Sequence, residues 1–174
     1  MATVGMVLHG HEPEADAVAA DLVHWLGERD QDVRLIHPDG IRLGEPDLAV
    51  DDDAFAPGLD VALSLGGDGT MLRTALLVEE EATPIIGINL GQLGYLTTID
   101  STGARMAVKR FLSGAYEVES RMLVSTTVES SGRSWRALNE AVIEKTQSGH
   151  TVRLGVSVDG DEFTTYACDG LIVA

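Results

Sequence analysis

The chain has 174 residues, 44% of them apolar, which is typical of a globular protein with a sizeable core and excludes a wholly disordered one. Its 12 Lys and Arg residues against 28 Asp and Glu residues give a net charge of −16, which argues against nucleic acid and anionic membrane surfaces as partners. A single cysteine (Cys168), no apolar run of about 20 residues and no secretory signal together predict a soluble, cytoplasmic protein without disulfides.

In chain order, residues 1–118 alternate between strand and helix patterns, which is typical of an α/β domain whose parallel sheet is covered on both faces. The first helix begins at Pro13, and Trp25 lies near its apolar face, where we expect it to pack in the core. The segment 39–58 is rich in Pro, Gly and Asp and is predicted to be a surface loop. The predicted strands are 4–8, 32–37, 61–65 and 84–88, and the other predicted helices are 70–81 and 102–114.

Near residue 118 the pattern changes to successive strands, so 119–174 are predicted to begin an all-β, β-sandwich-like domain. Two hairpin turns are predicted, one around 130–133 and one at Asp159-Gly160, where both residues tolerate a positive φ. The run 134–144 is predicted to be one strand. The chain ends on an apolar strand with no turn after it, so we expect this second domain to be truncated and the natural protein to continue.

The segment Gly66-Gly67-Asp68-Gly69-Thr70 lies between a predicted buried strand and a helix, where open α/β sheets bind their ligands. Glycines allow phosphate to approach the backbone closely, and the helix N-terminus supplies N–H donors. A carboxylate beside phosphate is repulsive unless it binds a metal or takes a proton from an attacking hydroxyl, and both roles belong to phosphoryl transfer. The alternative is that Asp68 only caps the helix. The spacing matches neither a P-loop nor a dinucleotide-binding fingerprint.

Four segments, in chain order, are similar to motifs of the NAD kinase family. The segment 66–70 resembles a signature that this family shares with diacylglycerol kinases, sphingosine kinases and phosphofructokinases. Three further segments select NAD kinases: 87–96 resembles the stretch after the family's fourth strand, 137–143 its Asn-Glu motif, and 166–174 the strand before a Thr-Pro-x-Gly-Ser-Thr loop. That loop is absent from this sequence, which is the main departure from the family pattern.

The resemblance implies an NAD kinase, which transfers the γ-phosphate of ATP, or of inorganic polyphosphate, to the 2′-hydroxyl of the adenosine ribose of NAD. It implies that Asp68 activates that hydroxyl, that Mg²⁺ or another divalent cation accompanies ATP, and that the protein is a homodimer or homotetramer. It assigns no residue as a metal ligand. The residues that it assigns to substrate and nucleotide binding are Gly67, Gly69, Thr70, Arg73, Asn89, Tyr95, Asn139, Glu140 and Asp169.

Each implied role has its own chemistry. Gly67 and Gly69 leave room for phosphate, Arg73 donates to phosphate, and Tyr95 stacks on adenine. Asn139 and Glu140 hydrogen-bond NAD, although within a predicted strand they are also compatible with a solvated strand face or a bulge. Asp169 contacts polar groups of NAD from the β domain.

Two other functions stay open on the sequence. One is a non-catalytic NAD-binding module, or an inactive fragment, derived from the kinase. The other is a lipid or sugar kinase that shares only the glycine loop, and the segments around Asn139 and Asp169 count against it. The acidic, lysine-poor composition is compatible with a high-salt cytoplasm or with an ordinary acidic protein. The motif His9-x-His11-Glu12 is predicted to be a loop rather than a metal site, and surface positions are expected for His24, His37 and His150.

Overall fold

The computed structural model describes residues 1–10, 12–91, 94–97, 99–146, 149 and 151–174, and it divides into two units, Met1–Ser120 and Arg121–Ala174. His11 and His150 lie outside the described residues, as do residues 92 and 93 of the motif at 87–96. Within the described ranges, no helix combines the length and the apolar character that crossing a bilayer requires.

The first unit is built on a six-stranded parallel sheet, which confirms the predicted fold class of this part of the chain. Its strands are β1 (Thr3–Leu8), β2 (Asp32–Ile36), β3 (Ala49–Val50), β4 (Val61–Leu65), β5 (Ile85–Asn89) and β6 (Ile99–Asp100). They lie in the order β3-β2-β1-β4-β5-β6. Because the chain proceeds outwards in one direction from β1 and in the other from β4, the loops that follow these two strands diverge. That point at the carboxyl ends of the strands is where open sheets bind ligands.

Helices lie along the sheet, and two apolar clusters form the core of the first unit. The larger cluster contains Leu22 and Leu26 of the first helix, and the other is centred on the fully buried Phe55. Strand β4 supplies both clusters, Leu63 to the first and Ala62 to the second, because successive side chains of a strand point to opposite faces. Trp25 is 9% exposed and belongs to the larger cluster, as expected. The helices are α1 (Pro13–Gly27), α2 (His37–Leu43), α3 (Asp52–Phe55), α4 (Asp68–Val78) and α5 (Ala104–Leu112), with 3₁₀ turns at Pro46–Leu48 and Ser101–Gly103.

The prediction of a surface loop over 39–58 is wrong. This stretch holds α2, a 3₁₀ turn, β3 and α3, and strand β2 ends at Ile36 rather than at His37. The turn-forming residues lie at helix ends instead. Helix α2 has a proline in its first turn, where no N–H is needed, and its C-cap residue, Gly44, has a left-handed φ of 76°. Burial of Phe55 then fixes α3 against the sheet.

The described residues of the second unit form three two-stranded antiparallel sheets. Strand β7 (Val124–Val128) pairs with β8 (Arg133–Ala137), β9 (Ala141–Glu144) pairs with β12 (Gly170–Val173), and β10 (Val152–Val158) pairs with β11 (Asp161–Cys168). The turn between β10 and β11 has φ of 54° at Asp159 and 90° at Gly160, which confirms the predicted hairpin. No described residue of this unit is fully buried.

The prediction of one strand over 134–144 is wrong. The chain bends at Leu138 and Asn139, and Glu140 lies outside any strand. The bend separates β8, which pairs with β7, from β9, which pairs with β12, so the two strands belong to different sheets. Polar residues that are unfavourable inside a strand therefore lie in the connection between strands.

Candidate active site

The glycine loop leaves the sheet beside the loop that follows β1. The backbone N–H of Gly66 donates to the carbonyl of Ile88 at 3.0 Å, and the N–H of His9 donates to the carbonyl of Leu65 at 2.8 Å. A Cβ atom on Gly66 would lie 2.9 Å from Cβ of Thr70 and 3.1 Å from Cβ of His9. Only glycine therefore fits where the two loops leave the neighbouring strands β1 and β4.

Helix α4 begins at Asp68, two residues before the predicted start. Gly67 precedes it in an extended conformation, and the carbonyl of Gly67 accepts the N–H of Met71 at 3.1 Å. A Cβ atom on Gly67 or Gly69 would meet nothing within 4 Å, so open space adjoins the backbone at both positions. No side chain caps the N-terminus of α4, and the first N–H groups of a helix have no partner within it, so this N-terminus is a favourable place for an anion.

Thr70 differs from its glycine neighbours because it is only 6% exposed. Its carbonyl accepts the hydroxyl of Thr74 at 2.8 Å, and its side chain packs under Gly66. The structure therefore places the Thr70 side chain beneath the loop, and its assignment to nucleotide binding stays a prediction.

The carboxylate of Asp68 is held by the loop that follows β5. Its Oδ2 accepts the backbone N–H of Tyr95 at 3.0 Å, and its Oδ1 accepts the N–H of Leu96 at 3.0 Å. The structure thereby brings together two motifs that are separate in the chain, 66–70 and 87–96. Asp68, Tyr95 and Leu96 together form a polar edge at the carboxyl ends of β4 and β5.

The remaining predicted residues of the first unit flank this edge. The Tyr95 ring is 97% exposed, which leaves both of its faces open to a flat partner. Asn89 is the last residue of β5 and is 8% exposed. Arg73 is exposed on α4, one turn beyond the loop, and makes no hydrogen bond or salt bridge with any residue that the structure describes.

A buried acid, Asp39, lies next to this edge and is not among the site residues predicted from the sequence. Asp39 of α2 is 2% exposed, accepts the N–H of Leu8 at 2.9 Å and pairs with Arg42 Nη1 at 3.0 Å. Burial raises the pKa of Asp39 above its usual value, and the Leu8 N–H and the charges of Arg42 and Arg73 oppose that rise. An acid at i and an arginine at i+3 would have been a visible signal had the stretch been recognised as a helix.

Arg42 joins three elements at the same edge. Its guanidinium donates to Asp16 of α1 at 2.9 Å and to the carbonyls of His9 and Gly10 at 3.4 and 3.5 Å, in addition to its pairing with Asp39. The loop after β1 is therefore held in place by a side chain of α2.

We expect Arg42→Gln to loosen the loop after β1 and to lower the free energy of unfolding by about 3 kcal/mol, because the buried Asp39 loses its charged partner and keeps only the N–H of Leu8. Arg34→Gln is the matched control, since Arg34 also donates to loop carbonyls, those of Ala54, Phe55 and Pro57, at 3.4, 3.2 and 2.6 Å. For both variants, denaturant unfolding measures the free energy of unfolding, and peptide-resolved hydrogen exchange measures the loosening of the loop after β1. Exchange at residues 9 and 10 should rise with Arg42→Gln and stay unchanged with Arg34→Gln, and equal exchange in both variants would contradict the assignment.

The predicted residues of the second unit do not lie together. Asn139 and Glu140 are exposed just before β9, next to the position where Ala141 pairs with Val173. Asp169 precedes β12 at the other end of the same pair, where Gly170 is opposite Glu144. Asp169 also forms an ion pair with Lys145, and the Lys145 N–H donates to its carbonyl at 3.1 Å.

Other features of the described residues do not point to a second site. No group of three or more His, Cys, Asp and Glu side chains among them could hold a metal ion. A groove of about 670 Å³ lies at the amino ends of the strands, lined by residues that include Ala2, Gln31 and Asp60. That is the edge of the sheet opposite to Asp68, away from where open α/β sheets bind ligands. His24 and His37 are exposed, as expected.

Comparison with known proteins gives one consistent result. The family model of the ATP-NAD kinase N-terminal domain matches residues 4–116. An NAD kinase of Moorella thermoacetica is 39% identical over 178 residues, which cover 100% of this chain and 56% of that protein. An NAD kinase of Citrifermentans bemidjiense is 38% identical over 169 residues, which cover 94% of this chain and 59% of that protein.

Among solved structures, a yeast NADH kinase in complex with NADH has the same fold, with a TM-score of 0.88 at 17% sequence identity. The superposition covers 99% of this chain and 57% of the yeast chain. The chain therefore spans between 56% and 59% of the length of these three similar proteins.

Proposed function

Because the chain belongs to the NAD kinase family, we propose that the protein transfers the γ-phosphate of ATP to the 2′-hydroxyl of the adenosine ribose of NAD, making NADP and ADP. Inorganic polyphosphate is the alternative phosphate donor. The observation that carries the proposal is the Asp68 carboxylate, held by two backbone N–H groups at the point where the loops after β1 and β4 diverge.

Asp68 acts as the general base. Each of its oxygens accepts one N–H bond, and a carboxylate oxygen has two lone-pair sites, so each oxygen keeps one site for a hydroxyl. The proton of the ribose 2′-hydroxyl passes to Asp68 as its oxygen forms a bond to the γ-phosphorus. The bond from the γ-phosphorus to the bridging oxygen breaks, and ADP leaves with that electron pair.

The donor phosphates lie against the glycine loop and the N-terminus of α4. Gly67 and Gly69 leave open space beside the backbone, and Arg73 supplies a cation that no described residue engages in a hydrogen bond or salt bridge. These local features must overcome the net charge of −16, which repels a polyphosphate at long range. Salt screens that repulsion, so moderate salt should favour binding of the donor.

Mg²⁺, or another divalent cation, is proposed as the companion of ATP. The described residues offer no group of three or more His, Cys, Asp or Glu side chains, and a dedicated protein cage is not what Mg²⁺ requires. Most of its oxygen ligands would come from the donor phosphates, and the ion would neutralise charge that develops on them during transfer. Asp68, which lies within the glycine loop and keeps one lone-pair site on each carboxylate oxygen, would be the residue of this chain next to the ion.

The other predicted contacts are part of the same proposal. Tyr95 stacks on the adenine of NAD, Asn89 and Thr70 border the nucleotide, and Asn139, Glu140 and Asp169 hydrogen-bond NAD from the second unit. Support for Tyr95 is its exposed ring, and support for Asp169 is that its carboxylate is exposed next to Lys145. A cytoplasmic location and a homodimer or homotetramer complete the proposal.

The test is formation of NADP from NAD, ATP and Mg²⁺ by the full natural chain, at low and at high salt. A lipid or sugar acceptor replacing NAD, with no NADP formed, would overturn the proposed acceptor. Binding of NAD without turnover by any donor, polyphosphate included, would instead support a non-catalytic NAD-binding module. Activity at high salt only would indicate that screening is needed before the acidic protein binds ATP.

A further inference from the structure

We propose that Gly94 is a positioning residue for Asp68: the absence of a side chain at this position lets two backbone N–H groups hold the catalytic carboxylate in its working orientation. The inference rests on the proposed function for its chemical meaning. The loop after β5 fixes Asp68 through two hydrogen bonds, whatever reaction the protein catalyses.

The contact between Gly94 and Asp68 leaves no room for a methyl group. A Cβ atom on Gly94 would overlap Asp68 Oδ1 and lie 2.8 Å from its Cγ, whereas real Cβ atoms essentially never come within 3.0 Å of a neighbour. With alanine at this position, either the carboxylate rotates away or the loop retreats. Both movements break the bonds that Asp68 accepts from Tyr95 and Leu96.

Helix α4 does not fix this carboxylate by itself. Asp68 is the first residue of the helix, and the N-cap at Gly67 has no side chain that could hold the first turn. In the described residues, the hydrogen bonds to the Asp68 side chain come from the loop after β5. That loop is anchored in turn at Thr97, which is fully buried and packs against Gly87 of β5.

The arrangement matters because a general base works only when its free lone pair points at the hydroxyl. Two N–H bonds of 3.0 Å, one on each oxygen, remove the rotation of the carboxylate and leave one lone-pair site on each oxygen. A base that is fixed before substrate binds loses little entropy on reaching the transition state, and a misplacement of about 1 Å costs up to about 100-fold in rate. The same loop carries Tyr95, so the position of the base and that of the proposed adenine contact are linked.

The experiment compares Gly94→Ala with Gly91→Ala in the full natural chain. Gly91 lies in the same segment, and a Cβ atom there meets nothing within 4 Å, so the same chemical change is made without the clash. We expect kcat for NADP formation to fall about 10- to 100-fold with Gly94→Ala, with KM for ATP unchanged, and to change less than about threefold with Gly91→Ala. In an Asp68→Asn background, Gly94→Ala should cause no further loss, because the base on which it acts is already gone.

A second readout does not depend on turnover. Amide hydrogen exchange at Tyr95 and Leu96 should become faster with Gly94→Ala and stay unchanged with Gly91→Ala, even if the protein phosphorylates a different acceptor. Unchanged exchange with Gly94→Ala overturns the fixing of Asp68, and faster exchange with unchanged kcat overturns its importance for the reaction. If Gly94→Ala does not fold, hydrogen exchange at Tyr95 and Leu96 is measured in Asp68→Asn instead. The amide nitrogen of Asn cannot accept an N–H bond, so one of the two bonds is lost.

Discussion

Replacing Asp68 with Asn is expected to lower kcat for NADP formation by about 10²- to 10⁴-fold in the full natural chain. The amide has the shape of the carboxylate but cannot take the proton of the ribose hydroxyl. One of the two N–H bonds from Tyr95 and Leu96 is lost, so the free energy of unfolding should fall by about 1 kcal/mol only. Steady-state kinetics with NAD and ATP measures the first effect, and denaturant unfolding measures the second.

The matched control for this substitution is Asp60→Asn. Asp60 is another carboxylate that accepts a backbone N–H from a distant segment, that of Thr3 at 2.7 Å, but it precedes β4 at the opposite edge of the sheet. We expect its kcat to stay near that of the unchanged protein. A folded Asp68→Asn protein with unchanged kcat would show that Asp68 is not the base, and Asp68→Ala would then be equally active.

Replacing Phe55 with Ala is expected to lower the free energy of unfolding of the first unit by about 3 to 5 kcal/mol. Phe55 is fully buried and fills the space next to Gly5, where a Cβ atom would lie 2.6 Å from Phe55 Cζ and 2.7 Å from Leu59. Removing the ring from this close contact between α3 and the central strand β1 leaves a cavity that the rigid sheet cannot close. Denaturant unfolding followed by circular dichroism measures the loss.

Phe163→Ala is the control, because it makes the same change at a side chain that is 67% exposed on β11. Its effect should stay within about 0.5 kcal/mol. Equal losses in the two variants would contradict the central place of Phe55 in the core.

Regular strands and the glycine loop could be predicted from the sequence because their signals are local. The apolar run of β4 followed by glycines and an acid is visible without tertiary information, and so is the Asp159-Gly160 turn. The prediction of a loop over 39–58 was wrong for a physical reason. Pro, Gly and Asp favour loops, but they also occur where short helices begin and end. Only burial of Phe55 and Asp39 against the sheet decides between the two, and burial is a tertiary property.

In the candidate site, too, local features could be predicted from the sequence and tertiary contacts could not. Asp68 could be identified because it stands inside a motif with a chemical interpretation, and the resemblance to NAD kinases is confirmed by the family comparison. The hydrogen bonds that Asp68 accepts from Tyr95 and Leu96 could not be predicted, because these residues lie 27 and 28 positions away in the chain. They belong to a loop whose path depends on the packing of Thr97. The predicted roles of Asn139, Glu140 and Asp169 in binding NAD remain predictions, although the bend at Asn139 replaces the strand that was expected there.

The two units are expected to open by local unfolding on different timescales, because none of the described residues of the second unit is fully buried. Local unfolding costs free energy in proportion to the apolar surface that it newly exposes. Separation of β10 from β11 exposes little, whereas separation of β1 from β4 uncovers side chains such as Met6 and Leu63 that are completely shielded from water. We therefore expect amide protons of the hairpin to exchange through frequent small fluctuations, and those of the central strands to exchange only when the first unit unfolds as a whole.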